Sequence, residues 1–487
     1  MSAHKHGFAM TLGVLGLATM PALAQYELVW ADEFDGTTIA DHWEHQIGTG
    51  TAYGLPAGWG NEELQYYTDQ IFNSFVNDGA LSIVAQNIPF GGRPYSSARL
   101  RTLGSFEVRY GRVEARIKLP KGQGLWPAFW MLPTDSPYGG WASSGEIDVM
   151  ESVNQMNRIH GTLHFGAPWP QNTSAGGTLQ DGTDFSQDFH VYSVEWTPDA
   201  FTWSVDGQAY RTVTSNQWYS SAATGNGRAP FDTSFHLLLN VAVGGLFPGD
   251  PDGSASFPQQ MQVDWVRVYR LEQGPFGGAP HGVPGRIEAE DFDVGYPDEA
   301  YQDCDFGNNG ESYRLDTDVD IQPASEGGFN LGWVCDDEWL EYTVSVASAG
   351  EYGLRARVAS PGAGGSLRFS VEGSPIAPDL SFGSTGDWQN WTTVETQATL
   401  EAGEQVIRMT AQGASFNVNW FELEAISVGC SPADLAEPFG SQDFSDVIAF
   451  LGAFAAGEPL ADLAAPLGVL DFSDVLAFLS AFSSGCP

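Results

Sequence analysis

Between Tyr26 and about Glu272, apolar residues recur at every second position in short runs, and Gly, Pro, Asn or Asp breaks each run. Gly79–Ala85, Gly111–Lys118, His190–Trp196 and Val263–Tyr269 are examples. A period of two sends successive side chains to opposite faces of an extended strand. No long stretch of this span keeps the 3.6-residue period of an amphipathic helix. The chain here must build two-faced sheets, and an all-β sandwich is the expected fold class.

One run breaks the pattern with acids. Gly145–Ser152 holds Glu146, Asp148 and Glu151 among residues that otherwise favour a buried strand. Glu146 and Asp148 share a parity and point to one face, whereas Glu151 has the wrong parity. One extra residue looped out near Val149 or Met150, a β-bulge, returns Glu151 to the face of the other two. A concave sheet would then carry three acids in a row. Like charges this close cannot all ionise freely, so at least one proton is retained. That suits glycoside hydrolysis, in which one carboxylate attacks the sugar and a protonated one donates to the leaving oxygen. Two other readings stay open from spacing alone: three acids binding Ca²⁺, or a strand showing its acids to solvent.

At 487 residues the chain is expected to hold two or three domains. Its 61 acids against 20 bases give a net charge of −41, which argues against nucleic acid or an anionic membrane surface as partner. A neutral substrate fits better. Residues 1–24 read as a signal peptide, with His4, Lys5 and His6 before an apolar run and Ala22-Leu23-Ala24 ahead of Gln25. That run is too short to span a bilayer, so an exported protein with no membrane insertion is expected. The four cysteines suggest two disulfides. Local pairing, Cys304 with Cys335 and Cys430 with Cys486, is favoured because each pair falls within one domain, and the other two connectivities stay open.

Composition divides the remainder into a first β domain at 25–272, a Gly/Pro-rich linker at 273–285, a second β domain at 286–427 and a C-terminal segment at 430–487. The last contains a repeat, Ala433–Leu451 recurring from Ala461. In each copy the second half has helical spacing, through Val447, Ile448, Phe450, Leu451 and Phe454 and through Val475, Leu476, Phe478, Leu479 and Phe482. Ser445 and Ser473 are the expected caps.

Around the acids, Leu125–Leu132, Ser144–Ser152 and His160–Phe165 resemble glycoside hydrolase family 16, supported by Trp30–Asp35, Leu239–Gly245 and Asp264–Tyr269. The extra Met150 matches the bulged form of laminarinase-like members. The resemblance implies a β-jelly-roll and a secreted retaining endo-β-1,3-glucanase acting on laminarin-like β-glucan. Mixed-linkage glucanase, agarase-type hydrolase and non-catalytic glucan-binding protein are the alternatives. It makes Glu146 the nucleophile, Glu151 the general acid/base and Asp148 the residue that tunes the nucleophile. Trp126, Trp130 and Trp141 are candidate sugar platforms, since a flat ring matches the apolar face of a pyranose, and core packing is the competing reading for each. Asn61, Glu62, Arg93 and His164 are candidate hydroxyl partners. Glu33, Asp264 and a carbonyl near Gly79 match a structural Ca²⁺ site, against ordinary surface carboxylates. One departure stands out: Leu246-Phe247 follows Gly244-Gly245 where the family has a polar residue and Trp.

Segments of 286–426 resemble carbohydrate-binding module family 6. By that resemblance Trp333 and Trp388 sandwich a sugar end above Asn417, Glu299 is a loose acidic contact, and Glu288 and Glu290 hold structural Ca²⁺. The C-terminal repeat resembles a dockerin-like, EF-hand-derived segment, implying a surface or scaffold partner. Its loops lack oxygens where a Ca²⁺ loop needs them, with Ala436 and Pro438, then Ala464 and Pro466, at those positions and the acids displaced to Asp446 and Asp474. Helix pairing is the expected role of this segment, and a monomer the expected state.

Overall fold

The strand-rich text becomes paired sheets in each of two units, one of Met1–Gln273 with Val294–Ala300, the other of Gly274–Asp293 with Tyr301–Pro487. The computed structural model describes residues 26–413, 415–426, 431–436, 441–465 and 468–485. The expected signal peptide, the Cys430–Cys486 pair and the loop positions Pro438 and Pro466 lie outside the described residues.

In the first unit an eight-stranded and a seven-stranded sheet share one apolar core. Gly111–Lys118 shows the strict alternation of buried and half-buried residues that its sequence implies. The seven-stranded sheet runs Thr173–Leu179, Ile159–Phe165, Glu146–Glu151, Leu125–Pro133, Phe235–Val243, Arg99–Arg101, Glu44–His45. Phe235–Val243, a near-continuous apolar run, is buried at all nine positions, as a strand covered on both faces must be. This is the jelly-roll that the sequence implied.

The acid strand, Glu146–Glu151, is bulged. Against Ile159–Phe165 it pairs Glu146 with His164 and Asp148 with Thr162, then slips so that Glu151 meets His160. Its pairing with Leu125–Pro133 slips between Asp148 and Met150. Ile147, Val149 and Met150 fill the core, and the three acids return to one face.

A second sheet supports the bulge from behind. Trp203, fully buried on Ala200–Val205, donates its indole N–H to the Asp148 carbonyl at 2.8 Å. The indole fits because Gly161 lies over it: a Cβ there would stand 2.3 Å from Trp203 Cδ1. Gly145, at the entrance to the acid strand, has φ +88° and is likewise crowded by Phe231.

The second unit stacks a seven-stranded sheet, with Trp339–Val346 and Gly403–Gln412 paired, and a six-stranded sheet with Gly350–Ala359 paired to both Thr392–Leu400 and Asn417–Ala425. The Cys304–Cys335 disulfide forms as expected. The 273–285 stretch is more than a linker. Its His281–Val283 pairs in parallel with Trp339–Val346 and so belongs to the module's sheet.

Helices Phe444–Ala456 and Phe472–Ser484 form as the repeat implied, and the equivalent Phe450 and Phe478 stack at 4.2 Å. Their caps are Asp443 and Asp471, two residues ahead of the expected serines. Asp443 accepts from the Ser445 amide, so the capping oxygen is a carboxylate and Ser445 already lies in the first turn. Asp446, fully buried, accepts the amides of Leu435, Ala436 and Asp443, and Asp474 repeats this with Leu463, Ala464 and Asp471. These acids close the degenerate loops through backbone N–H groups.

Trp203→Phe keeps an aromatic ring but removes the indole N–H from the Asp148 carbonyl and leaves a small void, at a cost of about 1–3 kcal/mol. Gly161→Ala overpacks the same slot by a similar amount. Thermal unfolding of the whole chain is expected to show the first unit's transition lowered by several degrees in both variants, with Phe421→Tyr in the second unit's core leaving that transition unmoved.

Candidate active site

Each of the two outer acids is gripped by a tryptophan. Trp141 Nε1 donates to Glu146 Oε2 at 2.8 Å, and Trp126 Nε1 donates to Glu151 Oε1 at 2.8 Å. Trp126 stands on Leu125–Pro133, beside the acid strand, and Trp141 on the loop that leads into it. Between the outer acids lies Asp148, 3% exposed. His164, across the strand pair from Glu146, places Nε2 3.3 Å from Asp148 Oδ2 and 3.9 Å from Glu146 Oε1.

Electrostatics separates the roles of the two glutamates. Burial and then the Asp148 charge push Glu146 up to about 7, opposed by His164, the Trp141 hydrogen bond and Arg99. Glu151 is raised well above the usual carboxylate range, by burial first and then by Asp148, with Glu146 adding to it. Burial works against charge on His164, yet its contact with Asp148 and the charges of Glu146 and Glu151 outweigh it, lifting the imidazole to about 9. The surroundings thus favour the cation of His164 beside Asp148 and the protonated form of Glu151, while Glu146 can ionise near neutral pH. One carboxylate able to attack and one acid able to donate, on one face, is the pair that glycoside hydrolysis requires.

Trp130 lies opposite Asp148 in register, half-buried, and donates to Asn240 Oδ1 at 2.8 Å. The Arg99 guanidinium lies over its ring at 4.7 Å and over the Trp59 ring at 4.4 Å. Asn240 donates to Tyr67, and Tyr67 and Gln65 both donate to the buried Glu63. This network beside the acids was not legible in the sequence, since its members lie up to about 180 positions apart, as with Val243 on Gln65. Asn61 donates to Glu63 at 3.3 Å, and Arg93 binds the Glu63 carbonyl at 3.1 Å. Both belong to the wall around Glu63, and among the described residues neither hydrogen-bonds to the acids. Glu62 is exposed on the same loop. The departure at Phe247 keeps an aromatic at the site: its ring meets Trp126 edge-on at 5.4 Å and His160 at 5.3 Å.

In the second unit Trp333 and Trp388 are 51% and 42% exposed, and Asn417 is fully buried, donating to the Trp388 carbonyl at 2.8 Å. Gly332, beside Trp333, lies against Asn417 Oδ1, so the three expected residues converge. Glu299 does not join them. It groups with the first unit and forms an ion pair with Arg270.

The candidate cation sites divide. Glu33 holds Arg267 through two bonds of 2.7 and 2.9 Å, and Asp264 holds Arg116 at 2.6 Å, while Gly79 occupies a turn at φ +74°. Those carboxylates are already neutralised by arginines and do not fit a cation as arranged. Glu290 does fit one: it is 4% exposed, its Oε2 has no partner among the described residues, and burial pushes it up to about 8. Glu288 beside it is also raised by burial.

Comparison with known proteins matches residues 59–267 to the model of glycosyl hydrolases family 16, and residues 300–425 to that of carbohydrate binding module (family 6). The chain is 48% identical to a glucan endo-1,3-beta-glucosidase A1 of Niallia circulans over 53% of its own length and 39% of that protein's. It is 42% identical to a beta-glucanase of Rhodothermus marinus, covering 53% of this chain and 90% of the relative. A glucan endo-1,3-beta-glucosidase of Cryptopygus antarcticus is 40% identical over 50% of this chain and 91% of its own. Because the family model spans the strand with Glu146 and Glu151 and the chain covers nine tenths of the Rhodothermus and Cryptopygus relatives at 42% and 40% identity, the chain belongs to glycosyl hydrolases family 16.

Proposed function

We propose that this glycoside hydrolase is an endo-1,3-β-glucanase that cleaves laminarin-like β-glucan by double displacement. The observation that carries the reading is the pair Glu146 and Glu151 on one bulged strand, each held by its own tryptophan. Glu146 attacks the anomeric carbon while Glu151 gives its proton to the leaving oxygen. Glu151, now a carboxylate, takes a proton from water, and that water displaces Glu146 from the sugar. His164 holds a positive charge against Asp148, which limits how far Asp148 raises Glu146. Trp126, Trp130, Trp141 and Phe247 supply ring faces and edges beside the acids. The names of the Niallia and Cryptopygus relatives support the 1,3-linkage.

Trp333, Trp388 and Asn417 give the module its sugar site, so the chain holds the polymer while the first unit cuts it. Glu288 and Glu290 would hold a structural Ca²⁺ that supplies charge balance only. The protein is exported by residues 1–24, and the C-terminal helix pair attaches it to a surface or partner. No helix among the described residues is long and apolar enough to cross a membrane.

Reducing-sugar release from laminarin, lichenan and agarose tests the assignment. Laminarin is expected to be the best substrate, with kcat lowered about 10²–10⁴-fold in Glu151→Gln and at least as far in Glu146→Ser. Turnover of agarose alone would keep the acids and sink the glucanase reading. Laminarin binding without turnover of any polymer would favour a glucan-binding protein.

The pH profile separates the two acids. Activity requires Glu146 ionised, so the acid limb of kcat/KM should lie near 7, well above ordinary carboxylates. Trp141→Phe removes a bond to the ionised form, which raises Glu146 further and moves that limb to higher pH. Trp126→Phe acts in the same sense on Glu151 and moves the alkaline limb upward, leaving the acid limb in place. Limbs that do not move in either variant would contradict these roles.

A further inference from the structure

A group of acids in the second unit lies apart from Glu288 and Glu290 and is not explained by sugar binding. Asp303, Asp305 and Asp320 bring one carboxylate oxygen each within 4.8 Å of one another. Glu338 joins them through strand pairing. Gln302 sits opposite Trp339, so the next residues outward, Asp303 and Glu338, face each other across the end of that ladder. The Cys304–Cys335 disulfide links the same two segments, and both its sulfurs lie within 4.8 Å of a Glu338 carboxylate oxygen. Those sulfurs are bonded to each other and are not thiolate ligands, which leaves an all-oxygen donor set.

Two of the oxygens are orphaned. Glu338 is 3% exposed; its Oε2 accepts the Cys335 amide at 3.0 Å, but Oε1 is buried with no partner among the described residues. Asp303 accepts the Asp305 amide through Oδ1 at 3.1 Å, and its Oδ2 is likewise buried and unpartnered. Asp305 and Asp320 share a neutral donor, the Asn309 side-chain amide, at 3.2 Å. Burial acts most strongly on Asp303 and Glu338, and the other main influences are neighbouring acids and backbone N–H groups, with no lysine or arginine among them. Buried carboxylate oxygens need a proton, a donor or a cation.

We propose that Asp303, Asp305, Asp320 and Glu338 form a second Ca²⁺ site of the module, distinct from Glu288 and Glu290. Ca²⁺ accepts six to eight oxygens from several carboxylates in flexible geometry, whereas Mg²⁺ keeps its water and uses one or two. The ion ties three segments together: the loop after Tyr301–Gln302, the approach to Ile321–Pro323 and the loop before Trp339. That last loop carries Trp333, held at φ +49° and half-exposed. The site therefore fixes the platform that meets the sugar, a consequence that rests on the reading of Trp333 as a sugar contact.

Calorimetric titration of the chelated whole chain with CaCl₂ at pH 7.5 tests the site. Asp305→Asn and Glu338→Gln are each expected to bind one Ca²⁺ fewer than wild type, or to bind it at least tenfold more weakly, while Glu290→Gln keeps that equivalent. Asp305 is exposed, so its variant serves if Glu338→Gln fails to fold. Wild type that takes no Ca²⁺, or variants with unchanged number and affinity, would overturn the site. In a Glu146→Ser background, laminarin affinity should fall on chelation by about the same factor as in Trp333→Ala. A lost equivalent with unchanged laminarin affinity keeps the ion and overturns its link to Trp333.

Discussion

Three carboxylates share one face of the acid strand, and the first unit is arranged to make that tolerable. Like charges in a buried row cannot all ionise, and the surroundings decide which one gives way. Each outer acid takes an indole bond and feels His164, but Arg99 also favours the ionised form of Glu146, whereas the Glu146 charge adds to burial and Asp148 in raising Glu151. The two outer acids thus sit in different electrostatic surroundings although they are the same residue type on the same strand. The proposed assignment of nucleophile and acid rests on that difference.

The arrangement depends on backbone geometry that a flat strand lacks. The bulge turns Glu151 to the face of Glu146, and a single indole N–H from the opposite sheet holds the Asp148 carbonyl. Gly161 leaves the space that the indole occupies. The site also costs stability. Glu146 and Glu151 have folded-state pKa values above their unfolded values, so the folded chain binds more protons and loses stability as pH rises from the ordinary carboxylate range through those raised values. A fold with a large buried core tolerates this loss.

Much of the site was legible because its signals are local. Parity alone placed Glu151 on the wrong face and required the bulge, and Trp126, Trp141 and His164 fall in segments that flank the acids in sequence. Trp203, Arg99, Asn240 and Glu63 were missed because their partners are distant along the chain and each looks like an ordinary core or surface residue. Glu299 was misplaced for the converse reason: its sequence position suggested the module, but an ion pair with Arg270 holds it in the first unit. Glu33 and Asp264 read as a structural Ca²⁺ site or as ordinary surface carboxylates, because their arginine partners, Arg267 and Arg116, are distant along the chain. In the repeat, helical spacing gave both helices, yet a carboxylate two residues earlier outcompeted serine as the cap. The Gly/Pro-rich stretch read as a linker because composition does not show that His281–Val283 completes a sheet edge.

The central claim is that Glu146 and Glu151 act in turn on the same anomeric carbon. Proton NMR of laminarin during the first moments of hydrolysis reads it most directly, through the anomer released before mutarotation. Initial accumulation of the β-anomer is expected, since two inversions restore the starting configuration. Initial release of the α-anomer would mean a single inversion by water, and Glu146 would not be the nucleophile.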